Sequence, residues 1–193
     1  MTKSIILFSS GNGSNVEKIC DYFEENPKVS ISRIFTNNPK AGVIQRAKRF
    51  RIPVQVFNKK EFKEDHLLKQ VVSLKPNLII LSGFLWKIGE NWVNTFPKQI
   101  INIHPALLPR YGGKGMYGEY VHNAVMANNE KKTGITIHYV NKEYDKGGII
   151  FQKKVSLSEN DSALEIAKKV QELEHRYFSF VIAQILKEKS DEV

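Results

Sequence analysis

A single cysteine, Cys20, stands among 193 residues. It can form no internal disulfide and no cysteine-based zinc cluster, which suits a reducing cytoplasm, and its helical neighbours Val16, Ile19 and Phe23 mark it as core. Long hydrophobic runs are missing too. Ile5 to Phe8, the first apolar stretch, is far short of the ~20 residues that span hydrocarbon and of a signal segment of ~7–15. A soluble cytoplasmic chain with no membrane partner is expected. Also absent are a Gly-x-x-x-x-Gly-Lys-Ser/Thr loop, a long basic arm and the aromatic signature of an RNA-binding sheet. Lys and Arg nevertheless outnumber Asp and Glu by 29 to 20, giving a formal charge of +9 and an isoelectric point near 9.5, so anionic partners are favoured. The basic residues lie in short groups such as Lys59-Lys60 and Lys131-Lys132. That scatter suits a small phosphorylated substrate, and nucleic acid is not an expected partner.

What is present fits one domain over 1–193, with 41% hydrophobic residues and enough length for a sizeable core. The chain is organised around Ile100-Ile101-Asn102-Ile103-His104-Pro105-Ala106-Leu107-Leu108-Pro109. In a strand, Asn102 and His104 share one face while Ile101 and Ile103 take the other. Pro105 and Pro109 force the chain out of the sheet after His104. The pair therefore sits at a strand's carboxyl end, the edge where open α/β sheets bind ligands. A carboxamide and an imidazole there can donate to an oxygen that becomes negative, and the imidazole can move a proton near neutral pH. Taken alone, the run equally fits an Asn and a His satisfied by backbone groups.

Ile5-Ile6-Leu7-Phe8, within a strand over 4–10, has the continuous apolar pattern of a strand buried on both faces. Ser10-Gly11-Asn12-Gly13-Ser14-Asn15 follows, and then a helix whose first turn pairs Ser14 with Glu17 as a capping box. Glycines before a helix amino terminus let backbone N–H groups approach an anion, so the loop reads as a phosphate seat. It is a poor dinucleotide site: Val16 stands at the third glycine of G-x-G-x-x-G, and Thr36-Asn37-Asn38 replaces the ribose-binding acid.

Further strands are expected over 29–36, 53–57, 77–82, 133–140 and 149–155, and helices over 41–50, 59–74, 119–127 and 162–188. The last two strands read as an antiparallel addition to a mostly parallel sheet. The final helix opens on a capping box of Ser162 and Glu165, with Leu164, Ala167, Val170, Leu173, Tyr177, Val181 and Ile185 as its inner stripe. After Gly83, the apolar segment Phe84 to Ile88 could line a pocket for a flat ring, with Phe84 as core. Gly112, Gly113, Gly115 and Gly118 fall within seven residues, marking a segment that moves or brings backbone close to a ligand. Asp145, in the turn over 141–148, is the acid placed to approach His104.

Ser10-Gly11-Asn12-Gly13-Ser14-Asn15, Gly83-Phe84, Asn102-Ile103-His104-Pro105 with Leu107-Leu108-Pro109, His138, Asp145 with Gly147, and Glu174-His175 occur in this order along the chain. The set resembles the phosphoribosylglycinamide formyltransferases, within the folate-dependent formyltransferase family, over nearly the whole length. That resemblance implies an α/β, three-layer Rossmann-like formyltransferase fold: a mostly parallel twisted sheet, an antiparallel addition near the C-terminus and a long C-terminal helix. It divides the single domain into a phosphate-binding half, 1–100, and a catalytic and folate-binding half, 101–193. The implied reaction passes the formyl group of 10-formyltetrahydrofolate, a co-substrate, to the amine of glycinamide ribonucleotide in purine biosynthesis, without a metal.

By the same resemblance, Asn102, His104 and Asp145 are catalytic, with Asp145 raising the pKa of His104. Gly13, Ser14 and Asn15 hold the substrate phosphate, and Gln171, Glu172, Leu173 and Glu174 lie near the ribose and amine. Leu85, Trp86, Lys87 and Ile88, with Asn141, Lys142, Glu143, Tyr144 and Asp145, surround the pterin; Asn102 also faces the folate, and Lys59 is the basic residue that assists it. Ala106 replaces the family's usual Ser, Trp86 stands where a basic residue is frequent, and the Gly112–Gly118 segment is longer than in many relatives. A monomer or homodimer is expected. Another folate-dependent formyltransferase, a formyltetrahydrofolate hydrolase and a nucleotide-binding regulatory protein are the alternatives.

Overall fold

The computed structural model describes residues 2–191, and the side chains of 2–188. The chain packs as two compact units, one running through Trp86 and resuming at Ile182, the other Lys87–Val181. The first holds β1 (Lys3–Phe8), α1 (Ser14–Phe23), β2 (Val29–Thr36), α2 (Val43–Arg49), β3 (Val54–Val56), α3 (Lys59–Lys63), α4 (His66–Ser73) and β4 (Leu78–Leu81). The second holds α5 (Glu90–Thr95), β5 (Ile100–His104), α6 (Glu119–Ala127), β6 (Lys132–Tyr139), β7 (Ile149–Ser156) and the start of α7 (Ala163–Asp191). The strands follow the order β3-β2-β1-β4 within the first unit and β5-β6-β7 within the second. β1 pairs in parallel with both β2 and β4, and β2 with β3. On the C-terminal side β6 runs antiparallel to both β5 and β7, as the alternating pattern of 133–140 implies.

Ile5, Ile6, Leu7 and Phe8 are wholly buried. Each such side chain contributes roughly 1.5–3 kcal/mol by leaving water. Phe8 stacks on Phe35 at 4.9 Å between centroids and meets Phe57 and Phe84 edge-on, so the end of β1 is fixed in an aromatic cluster. Cys20 is buried on α1, and burial pushes its thiol up to about 12, which makes it core and no nucleophile.

Three local expectations are corrected and one helix is added. Ser14 does not cap α1: Gly13 is the N-cap, in a left-handed conformation with φ 80°, and no side-chain cap bond forms there. The helix expected over 59–74 is two helices, α3 and α4, parted at Asp65 with φ 58°. The six-residue α5, which buries Trp92, was not anticipated. On α7 the Ser162–Glu165 capping box is present, but Leu164 is 66% exposed and Ile166 takes its place in the core beside Val170, Phe178 and Val181. Leu164 and Leu173 are nine residues apart, which at 100° per residue puts them on opposite faces.

Candidate active site

All the groups that gather at the end of β5 belong to the second unit. The antiparallel register sets Asn102 opposite His138 and His104 opposite Thr136. Thr136 pins the turn after His104: its hydroxyl donates to the Ala106 carbonyl at 2.6 Å and accepts from the Leu108 N–H at 3.0 Å and from Gln152 at 2.9 Å. The glycine-rich segment then returns over Asp145. A Cβ on Gly112 would come within 2.4 Å of Leu108 and 3.2 Å of the Asp145 Cβ, and the Gly113 N–H donates to Asp145 Oδ2 at 2.9 Å. The glycines bring backbone onto the carboxylate.

His104 is buried, with Nδ1 3.7 Å from Asp145 Oδ2 and Nε2 2.7 Å from the Tyr111 carbonyl. A carbonyl only accepts, so Nε2 carries hydrogen and Nδ1 is the nitrogen that gains or loses a proton. His138 lies between the other two groups: Nε2 is 3.2 Å from the Asn102 carboxamide nitrogen and 3.6 Å from Asp145 Oδ1, and Nδ1 donates to the Tyr139 carbonyl at 2.9 Å. With the Nδ1 hydrogen on that carbonyl, Nε2 accepts from the Asn102 carboxamide and fixes the orientation of that amide.

Burial pushes His104 below the usual imidazole value. It outweighs the Asp145 carboxylate and the Tyr111 carbonyl, which raise the value, and His138 depresses it further. Asp145 raises the value, as expected, but withdrawing an imidazolium from water costs more than this carboxylate returns. Burial raises Asp145, but the adjoining His138 and His104 rings and the Gly113 N–H together hold it below the usual carboxylate range. Near neutral pH the pair is a carboxylate beside a neutral imidazole, the state of a proton acceptor whose charged form has a counter-ion waiting.

In the first unit the loop over 10–15 is braced on several sides. Ser10 Oγ accepts the Leu85 N–H at 3.0 Å, Asn38 donates to the Ser10 carbonyl at 3.2 Å, and Arg46 Nε donates to the Asn12 carbonyl at 3.0 Å. A Cβ on Gly13 would lie 2.6 Å from the Val43 Cβ, so only glycine fits where α2 meets the loop. Ser14 and Asn15 open α1, at the positive end of its dipole.

The formyl transferase family matches residues 3–182. The chain belongs to the formyl transferase family. The formyl transferase relatives include the chloroplastic phosphoribosylglycinamide formyltransferase of Arabidopsis thaliana, 38% identical over 97% of this chain and 66% of that protein. The phosphoribosylglycinamide formyltransferase of Bacillus subtilis is 36% identical over 95% of each. Among solved structures, the phosphoribosylglycinamide formyltransferase from Anaplasma phagocytophilum superposes with a TM-score of 0.88 at 29% identity, covering 96% of this chain and 87% of that one.

Of the residues drawn from sequence, Asn102, His104 and Asp145 come together, and the formyl transferase match spans them. His138, given no role in the sequence reading, joins Asn102 to Asp145; the signal available was its register opposite Asn102. Tyr111 acts through its carbonyl, for which side-chain chemistry gives no cue. Leu85 is exposed, Ile88 is buried, and Trp86 packs edge-on to Phe57 at 5.7 Å between centroids. Lys87 sits over the Tyr144 ring at 5.7 Å, and Asn141 accepts from the Glu143 N–H to shape the turn before Asp145. Lys142 is exposed, and so is Lys59, the first residue of α3. On α7, Gln171 and Glu172 are exposed while Leu173 and Glu174 are half-buried. Among the described residues no group of three or more His, Cys, Asp or Glu is arranged to hold a metal ion.

Proposed function

We infer that the chain transfers the formyl group of 10-formyltetrahydrofolate to the amine of glycinamide ribonucleotide, giving formylglycinamide ribonucleotide and tetrahydrofolate. The observation that carries this reading is the linked set of Asn102, His138, Asp145 and His104 at the end of β5. The substrate amine attacks the formyl carbon and a C–N bond forms; the formyl oxygen becomes an oxyanion. Asn102, whose carboxamide is aimed by His138, donates to that oxygen. The proton lost by the amine is taken up at His104 Nδ1, where Asp145 stabilises the imidazolium, and N10 of the folate receives a proton as its bond to the formyl carbon breaks.

Gly13, Ser14 and Asn15 take the phosphate at the amino terminus of α1. Gln171 to Glu174 serve the ribose and amine end, and the segments 85–88 and 141–145, with Lys59, serve the folate. On this reading 1–193 acts as one formyltransferase domain, with its phosphate-binding half in 1–100 and its catalytic half in 101–193. It works in the cytoplasm, to which its one buried cysteine is suited, as a monomer or homodimer.

The test is tetrahydrofolate release in the presence and absence of glycinamide ribonucleotide. Release that requires the ribonucleotide supports the assignment. Release with no amine would make the chain a hydrolase, and turnover with an amino sugar in its place would move it elsewhere in the family. Calorimetry checks the phosphate seat separately: Asn15→Ala should weaken ribonucleotide binding, and unchanged affinity would reject that seat.

A further inference from the structure

The Tyr111 carbonyl that meets His104 Nε2 belongs to a residue in a left-handed backbone conformation, φ 55°, which strains any side chain but glycine. The strain is held by the residue's far end. Its phenol donates to Glu130 Oε1 at 2.7 Å, and Arg110 donates to both oxygens of the same carboxylate. Glu130, just beyond the end of α6 and before β6, has a side chain only 15% exposed, and Arg110 is 65% exposed. The carboxylate thus moors Tyr111 from outside the site already described. We propose that Glu130 is a positioning residue for the transfer: by holding the Tyr111 phenol it aims the Tyr111 carbonyl at His104 Nε2, and so fixes Nδ1 as the ring nitrogen that faces Asp145. The proposal rests on the role given to His104 above.

The groups facing His104 are Asp145 in the 141–148 turn, His138 on β6, the Tyr111 carbonyl and His122 on α6. Of these only the carbonyl fixes the tautomer, because it alone touches Nε2 and can only accept. Once it swings away, Nε2 no longer has to bear the hydrogen. The ring can then present Nδ1–H to Asp145 before reaction, leaving no basic nitrogen there to take the amine's proton.

The experiment compares Glu130→Met, Tyr111→Phe, the double variant and Arg110→Ala in the full chain. It records kcat and KM across pH, and the ring ¹⁵N shifts of His104. Both single variants should lower kcat on the order of ten-fold, the worth of one hydrogen bond, with KM within a factor of about two. The kcat pH profile should move, and the His104 ring nitrogens should pass from a pure Nε2–H pattern to a mixture. The double variant should be no slower than the slower single, because both break one linkage. Arg110→Ala, which removes the guanidinium that holds Glu130 and lies over the Tyr111 ring, should move kcat and the nitrogen pattern in the same direction but by less. Glu130→Met keeps the length of the side chain but leaves no oxygen to accept the phenol, and it carries the test should Tyr111→Phe fail to fold. Wild-type kcat and nitrogen shifts in Glu130→Met would overturn the proposal. Altered shifts with a wild-type rate would show the mooring to be real and remove His104 from the rate-determining step.

Discussion

Replacing Asp145 by Asn removes one charge and almost no volume. The carboxylate lies 3.7 Å from His104 Nδ1, and at an effective dielectric constant of about 20 two unit charges at that distance attract by about 4.5 kcal/mol. A proton fully transferred in the transition state would forfeit all of this, about 2,000-fold in rate; a half-transferred one would forfeit half, roughly 50-fold. Asp145→Asn should therefore lower kcat by between roughly 50-fold and 2,000-fold. The Gly113 N–H can still donate to the amide oxygen, so the melting temperature should stay close to that of the native chain. Asp145 is one of the groups that raise the His104 pKa, so its removal lowers that pKa further and shifts the acid limb of the kcat profile to lower pH. The assay is ribonucleotide-dependent tetrahydrofolate release from pH 5 to 9. A folded Asp145→Asn protein with kcat within three-fold of native, or an acid limb moved to higher pH, would refute the electrostatic account.

Other outcomes follow from the same contacts. Burial depresses both His104 and His122, so the folded state favours their neutral forms. The associated stability is complete above the unfolded value near 6.5 and is lost as pH falls from there through the folded values, with a slope of up to about 1.4 kcal/mol per pH unit for each histidine. Thermal melts from pH 8 to 5 should show this fall, and His122→Gln should flatten part of it; a melting temperature constant over that range would contradict it. Gly13→Ala should destabilise the fold by at least ~1–2 kcal/mol from its left-handed backbone, with the overlap on Val43 adding to the loss. Chemical denaturation measures it, and a stable Gly13→Ala protein with native ribonucleotide affinity would mean that the loop does not need this shape. Asn102→Ala should lose ~10²–10³ in kcat with little change in KM, as expected for one oxyanion donor.

Short unbroken apolar runs made the architecture legible. Ile5 to Phe8 and Leu78 to Leu81 could only be buried strands, and the alternation of 133–140 foretold the antiparallel β6. The expected bounds of α6 match the observed ones. The single helix drawn over 59–74 failed because its inward positions change phase: Phe62 to Leu67 is five residues, not three or four, and Asp65 breaks the chain between them. Steps of three residues likewise carried the α7 stripe away from the buried face at Leu164. In the site, Asn102 and His104 were visible from strand alternation and the prolines, and Asp145 from its turn. His138 depends on cross-strand register, and Tyr111 on where a backbone carbonyl points, so neither is written in local residue pattern. The direction of the His104 pKa depends on how deeply a ring is buried, which only the packed chain decides.

The central claim is that Asn102, His104 and Asp145 act together on a formyl group being passed to an amine. Single-turnover transfer by His104→Ala, with 10-formyltetrahydrofolate and glycinamide ribonucleotide both saturating, tests it most directly. The account predicts native ribonucleotide binding by calorimetry and formylated product appearing at least ~10²-fold more slowly than in the native chain. Product formed at the native rate would contradict it.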